Sequence, residues 1–247
     1  MMGHRAVWAY SYLAIANGLM GNFDAAMEAA GDGTVLARER GRVLDQVHAR
    51  WASALVQLYA ENFEAAEDDA RNAADLAEAH EFAWISTMIG IAQGNALSRL
   101  GGLDEGITLL EESASVGEST GMPVAVAWAK VYLSEIMTAC GQNENARTLA
   151  QKSLMLSRKH GFKAVQVMSL QMLGRAQHRL KESKGFFEEA FGLSVEHSLR
   201  PRGAQIKAEL GWIVSEMGGR GHGRELVSEA NVMRKEIGIP VFGLPDV

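Results

Sequence analysis

The sequence predicts an all-α fold, a right-handed α-solenoid of about six helix-turn-helix repeats, and three observations carry that prediction. The first is a turn signature that returns every 40 residues. Met20-Gly21-Asn22-Phe23-Asp24-Ala25-Ala26 is nearly copied at Ala60-Glu61-Asn62-Phe63-Glu64-Ala65-Ala66, then at Leu100-Gly101-Gly102-Leu103-Asp104-Glu105-Gly106 and Cys140-Gly141-Gln142-Asn143-Glu144-Asn145-Ala146. Such self-similarity at a fixed step is the mark of a repeat architecture. The second is a small residue seven positions before each turn: Ala14, Ala54, Gly94, Ser134, Gly174 and Gly211. The third is composition: 4 Pro and 7% aromatics in 247 residues are too few for the turns and pleated strands of an all-β sandwich.

Each repeat divides into helix A, a tight turn, helix B and a second tight turn. In the second repeat helix A is expected near Val43–Tyr59 and helix B near Phe63–His80. Along that helix B, Phe63, Ala66, Ala70, Ala73, Ala74 and Ala77 fall on one apolar stripe, while Glu64, Glu67, Asp68, Arg71 and Asp75 make the wet side. Helix B ends at Arg40-Gly41, His80-Glu81, Thr120-Gly121, His160-Gly161, Arg200-Pro201 and Ile237-Gly238, where glycine suits the left-handed cap and a cation suits the helix dipole. Twelve residues after the small residue of helix A stand Ala26, Ala66, Gly106 and Ala146, then Phe186 and Gly223; small side chains there let the paired helices close up. The fifth turn, at Leu180-Lys181-Glu182-Ser183, is degenerate, and the sixth, at Met217-Gly218-Gly219, comes three residues early. The expected organisation is one repeat domain over 1–247, with repeats at about 4–41, 42–81, 82–121, 122–161, 162–201 and 202–238 and a tail at 239–247. Neither helix of a repeat can bury its stripe alone, so the repeats must stack.

The small residue in helix A, the turn glycine seven later and the alanine twelve later resemble the tetratricopeptide family over about His4 to Gly238. The period of 40 and the missing helix-end proline depart from its commonest form. Longer repeats of this kind are similar to the C-terminal helical regions of bacterial maltose-regulator-type ATPase regulators. They are also similar to those of class III cyclases with a central ATPase module, which Leu97-Ser98-Arg99-Leu100-Gly101-Gly102-Leu103-Asp104-Glu105-Gly106-Ile107 resembles in particular. The resemblance implies a non-catalytic scaffold for a protein or peptide, serving as the regulatory or sensor portion of a larger signalling protein. A free-standing regulator binding a peptide or small ligand in its concave groove is the alternative. A chain that opens directly inside a helix A is what a portion of a longer protein would show.

Motifs that would carry chemistry find no support in this frame. Gly117-Glu118-Ser119-Thr120-Gly121 matches Gly-x-Ser-x-Gly, but Ser119 falls in the last turn of a helix B rather than on a strand-to-helix elbow. Gly218-Gly219-Arg220-Gly221-His222-Gly223-Arg224 lacks the Gly-Lys-Ser/Thr ending of a phosphate loop. The 7 histidines form no HExxH pair, and Cys140, the sole cysteine, is expected to be a buried inert thiol. No catalytic residue, metal ligand or cofactor is assigned. With no membrane-length apolar run and no secretory leader, a cytoplasmic protein is expected.

The tetratricopeptide resemblance places the A helices along a concave groove. Carried over by position, the groove columns contain Trp8, His48, Met88, Trp128 and Met168; Trp51; Asn95, Glu135 and Arg175; and, one turn on, Thr138 and His178. Aromatic and sulfur side chains would anchor a peptide or a partner helix, and polar groups would set its register. Alternatively Trp8, Trp51 and Trp128 pack between neighbouring A helices. Glu135 and Arg175, 40 residues apart, are expected to face each other as a groove-wall ion pair. Net charge is −6 overall, which gives no nucleic-acid footprint. It is uneven, however: 13 acidic against 2 basic residues lie between Glu61 and Glu118, and 16 basic against 8 acidic between Arg147 and Lys235. The apolar tail from Ile237 to Leu244 is expected to fold back over the last helix pair with Phe242 and Leu244 shielded, or to dock on a second copy through the terminal repeats.

Overall fold

A computed structural model of the chain describes residues 3–243. They form twelve helices: α1 (Gly3–Met20), α2 (Phe23–Arg40), α3 (Val43–Tyr59), α4 (Phe63–Ala79), α5 (Ala83–Arg99), α6 (Leu103–Thr120), α7 (Pro123–Ala139), α8 (Asn143–His160), α9 (Lys163–Arg175), α10 (Leu180–Glu196), α11 (Arg200–Glu216) and α12 (Arg220–Glu236). Odd-numbered helices are the A helices and even-numbered ones the B helices. No strand occurs among the described residues. The chain divides into two compact units, Met1–Ala125 and Val126–Val247.

Turns between helices are closed by the same backbone chemistry almost everywhere. The last turn ends in a left-handed residue, after which an N–H reaches back five residues, as in Asn22 N–H to Asn17 O (2.9 Å), Gly102 to Leu97 (2.9 Å) and Gln142 to Met137 (2.8 Å). Glycine fills most of these left-handed positions, but Glu61, Glu81 and Ser198 adopt φ of 63°, 57° and 55°. Each of these three carries the Cβ strain that glycine avoids.

In the first unit, α1, α3 and α5 lie side by side and each packs on its own B helix. The alanine stripe of α4 is dry: Ala66, Ala70, Ala73 and Ala77 have no exposure and meet Val47, Ala54, Ile85 and Ile89 from the flanking A helices. Small residues permit this closeness. A Cβ on Gly94 would stand 2.9 Å from the Gly106 carbonyl oxygen, and one on Gly106 would stand 2.7 Å from that of Gly94.

The second unit repeats the arrangement with polar substitutes at the crossing. Ser134 of α7 donates to the Ala146 carbonyl of α8 at 2.8 Å. Ser183 of α10 donates to the Gly174 carbonyl of α9 at 2.7 Å. The fifth hairpin corrects the sequence register. Helix α9 has 13 residues and stops at Arg175, so the three-residue deletion falls in the 176–179 turn, not in the sixth repeat. Consequently Ser183, buried at 2% exposure, takes the small position assigned to Phe186. Arg200-Pro201 starts α11, with proline in the first turn where its missing N–H costs no helix bond.

The tail does fold back. Asn231 of α12 exchanges two hydrogen bonds with the backbone of Phe242, at 3.0 and 2.7 Å, and the Arg234 guanidinium lies 4.2 Å from the Phe242 ring centre while donating to the Pro240 carbonyl. The Phe242 ring meets Trp212 edge-on at 5.8 Å. Leu244 lies outside the described residues.

Candidate functional site

The A-helix residues singled out from the sequence gather into two different environments, one in each unit. In the first, Trp8 and Tyr12 of α1, His48 and Trp51 of α3, and Trp84 of α5 form one aromatic cluster. The His48 imidazole is fully buried and lies flat on Trp8, with centroids 4.7 Å apart and planes 9° apart. Tyr12 and Trp51 meet it edge-on at 5.4 and 5.2 Å, and Trp84 lies 6.3 Å away and 6.1 Å from Trp8. Neither ring nitrogen of His48 has a hydrogen-bond partner among the described residues. Burial therefore pushes its pKa from 6.5 down to about 4, and the ring is neutral at pH 7. One turn earlier on α3, Asp45 is buried as well, with Arg42 4.0 Å away.

Trp51 belongs to the core, and Trp8 packs on its neighbour's histidine, so both tryptophans serve interhelix packing first. Tyr12 and Trp84, absent from the sequence-derived set, are the exposed members, at 52% and 41%. Met88 is half-buried against the same core, and Asn95 is buried on α5.

The second unit places a charged ladder across α7, α9 and α11. Arg175 Nη1 donates to Glu135 Oε1 at 3.1 Å, which is the pair expected from the 40-residue spacing. The sequence did not reveal the second partner: Arg175 Nε and Nη2 hold both oxygens of Glu209, at 3.2 and 2.5 Å. Gln171, fully buried, donates to Glu209 at 2.9 Å and accepts from Arg202 at 3.2 Å, and Arg202 stands 4.0 Å from Glu135. Burial alone would lower the Arg175 pKa, but Glu209 and Glu135 outweigh it and hold the guanidinium firmly protonated. Two carboxylates and two guanidiniums thus neutralise one another. Glu209 and Arg202 were missed because they lie outside the columns: the step from α9 to α11 is 37 residues, and they stand only 34 and 31 residues from Arg175 and Gln171, one and two turns short of it.

Other expected members lie elsewhere. His178 is not one turn along from Arg175, because α9 has already ended; it is exposed in the turn, 3.8 Å from Glu144 of α8. Thr138 donates to the Ser134 carbonyl of its own helix. Trp128 stacks on Tyr132 at 5.5 Å, and Met168 is buried. Cys140 is exposed rather than buried, because it follows the last residue of α7 and lies in the turn before α8. Ser119 donates to the Val116 carbonyl beside the left-handed Gly121, which is helix-end geometry. His80 and His160 stack on Phe82 and Phe162 at the ends of α4 and α8.

Beside the ladder lies a cavity of about 310 Å³ between α9, α10 and α11. Phe187, Trp212 and Ile213 line it, with Arg175, Glu209 and Gln177 at its wall.

The fold defined by these hairpins is that of tetratricopeptide-like helical repeat proteins, and solved structures of that class superpose on the chain. The apo form of RapI matches with a TM-score of 0.73 at 12% identity, covering 95% of this chain and 85% of that one. The Rap conjugation gene regulator of the plasmid pLS20, in complex with the Phr* peptide, matches with a TM-score of 0.66 at 12% identity over 88% and 65%. A signal transduction ATPase with numerous domains and a tetratricopeptide repeat sensor, from Pyrococcus horikoshii, matches with a TM-score of 0.55 at 12% identity, over 96% of this chain and 37% of that one. No protein-family model and no curated protein sequence matches the chain. No described helix is long and apolar enough to cross a membrane.

Proposed function

We propose that the protein is a non-catalytic regulatory scaffold whose A helices receive a peptide or an extended segment of a partner protein. The observation that carries this is the character of the A-helix columns. They present exposed aromatic rings (Trp84, Trp212) and a polar ladder whose charges are internally satisfied, and the ladder offers no activated nucleophile or general base. Exposed rings with fixed polar neighbours suit recognition of side chains and backbone amides. Among its structural neighbours, one regulator is in complex with a peptide and another carries its repeats as the sensor of a signalling ATPase, which supports the same reading here.

We take the chain to act in the cytoplasm as the sensor portion of a larger signalling protein of the ATPase-regulator or cyclase–ATPase kind; the free-standing regulator remains the second form of the same reading. Sequencing the full open reading frame separates the two. Binding itself is tested by selecting short peptides against the whole chain and measuring their affinity by fluorescence anisotropy. Selected peptides should bind in the micromolar range and weaken at least tenfold with Trp84→Ala where they bind the first unit or with Arg202→Ala where they bind the second, yet be indifferent to Met155→Ala and Val195→Ala on the exposed sides of α8 and α10. Failure to select any binder, or binders sensitive only to the B-helix substitutions, would remove the proposal.

A further inference from the structure

The cavity beside the charged ladder owes its existence to one local event. Helix α9 stops at Arg175, whereas its counterparts α3, α5, α7 and α11 each run for 17 residues. Beyond Arg175 α9 no longer continues beside α10 and α11, and the five-residue backbone closure that follows most of the helices does not form after α9. What remains is a pocket whose floor is the Phe187 ring, 2% exposed, and whose side walls are Trp212 and Ile213. Trp212 is steadied from behind by the Phe242 ring of the folded-back tail. Its volume, about 310 Å³, lies at the small end of ligand sites, which run from roughly 300 to 1,000 Å³.

The electrostatics restrict what can enter. Arg175 spends its Nε–H and one N–H on each terminal nitrogen on Glu209 and Glu135, and a further contact runs to the Met172 sulfur, so that one N–H of its five has no partner among the described residues. Glu135 and Glu209 are matched by Arg175 and Arg202. An incoming carboxylate would lie against Glu209, and an incoming ammonium against Arg175. An uncharged amide meets neither penalty and can accept the open N–H.

Resting on the peptide reading above, we propose that this cavity is a socket for one large uncharged side chain, aromatic or branched aliphatic, from the interior of a bound peptide, with Arg175 donating to the adjacent backbone carbonyl. A terminal residue with its free carboxylate is the wrong ligand.

The test uses the whole chain labelled with 5-fluorotryptophan, the Trp212 resonance being identified by its loss in Trp212→Phe. N-acetyl-phenylalaninamide should shift that resonance saturably with a millimolar Kd. N-acetyl-phenylalanine, the free acid, should bind at least fivefold more weakly, and N-acetyl-glycinamide should leave the resonance unmoved. Gln177→Phe, in the turn at the mouth, should weaken the phenylalaninamide at least tenfold while the helical circular dichroism and melting temperature stay as in the parent. An unmoved Trp212 resonance, equal binding of acid and amide, or indifference to Gln177→Phe would each overturn the socket. Selected peptides that bind the Gln177→Phe chain as tightly as the parent would overturn it too, and leave the peptide reading intact. If the amide titrates Trp212 while no peptide binds anywhere, the peptide reading falls and the socket as a peptide subsite falls with it.

Discussion

His48 in the first unit and Arg175 in the second both sit on A helices, both are titratable, and both are enclosed by neighbouring A helices, yet the two regions treat charge in opposite ways. Around His48 the enclosing groups are rings, no hydrogen bond is offered, and the imidazole gives up its proton. Around Arg175 two carboxylates and a buried glutamine assemble, and the cation is held. Burial is common to both; the partner set decides the protonation state. The surrounding charge follows the same division: the 1–125 stretch carries 7 basic and 18 acidic residues, a net −11, and 126–247 carries 17 and 12, a net +5.

The sharpest way to break the contrast is to remove the cation. Arg175→Met leaves Glu135 and Glu209, 8% and 7% exposed, without their shared partner, and should cost about 3–5 kcal/mol in urea unfolding. The exchange of Glu135→Arg with Arg175→Glu, which a simple two-residue pair would tolerate, should fail to restore stability, because the new glutamate would face Glu209. Restoration by that double exchange would show that Glu209 contributes little.

Acidification tests the other region. His48 has a folded pKa of about 4 against 6.5 unfolded, so below pH 6.5 the unfolded chain takes up a proton that the folded chain refuses. Stability is therefore fully present above pH 6.5, falls as the pH drops towards 4, and loses on the order of 3 kcal/mol from this group across that window. His48→Phe keeps a ring to stack on Trp8 and removes the titration. The difference in unfolding free energy between parent and variant should shift by this amount over the window, and a constant difference would mean that His48 is solvated.

The shared frame should respond alike in both units. Gly94→Ala and Gly211→Ala each drive a methyl into a facing carbonyl, at 2.9 Å from Gly106 O and 2.6 Å from Gly223 O. Each should cost about 1–3 kcal/mol, with Gly211 the more severe, as read from denaturation midpoints. Smallest of all is Arg158→Ala. Its ion pair with Glu189 links α8 and α10, but both partners are about half exposed, so the loss should stay within about 0–1 kcal/mol and vanish in high salt. A larger effect would extend the charged ladder's behaviour to the surface of that unit.

The sequence by itself determined the helices, their pairing and one contact of the ladder. Helix periodicity, left-handed turn residues and small residues at the crossings are local or strictly periodic properties, and a 40-residue step carries them from one repeat to the next. That is why Val43–Tyr59 was placed to the residue and why Glu135 and Arg175 were matched. Tertiary structure decided what the step could not carry. The early stop of α9 opened the cavity at Trp212 and turned His178 out to solvent, and Glu209 and Arg202, one and two turns off the columns, closed the ladder on Arg175 and Gln171. It also decided that His48 is dry while the equivalent Gln205 accepts a hydrogen bond from Arg202. Periodicity specifies which residues share a column, but the dielectric and the partners around a column are set by side chains arriving from neighbouring helices, and those do not repeat.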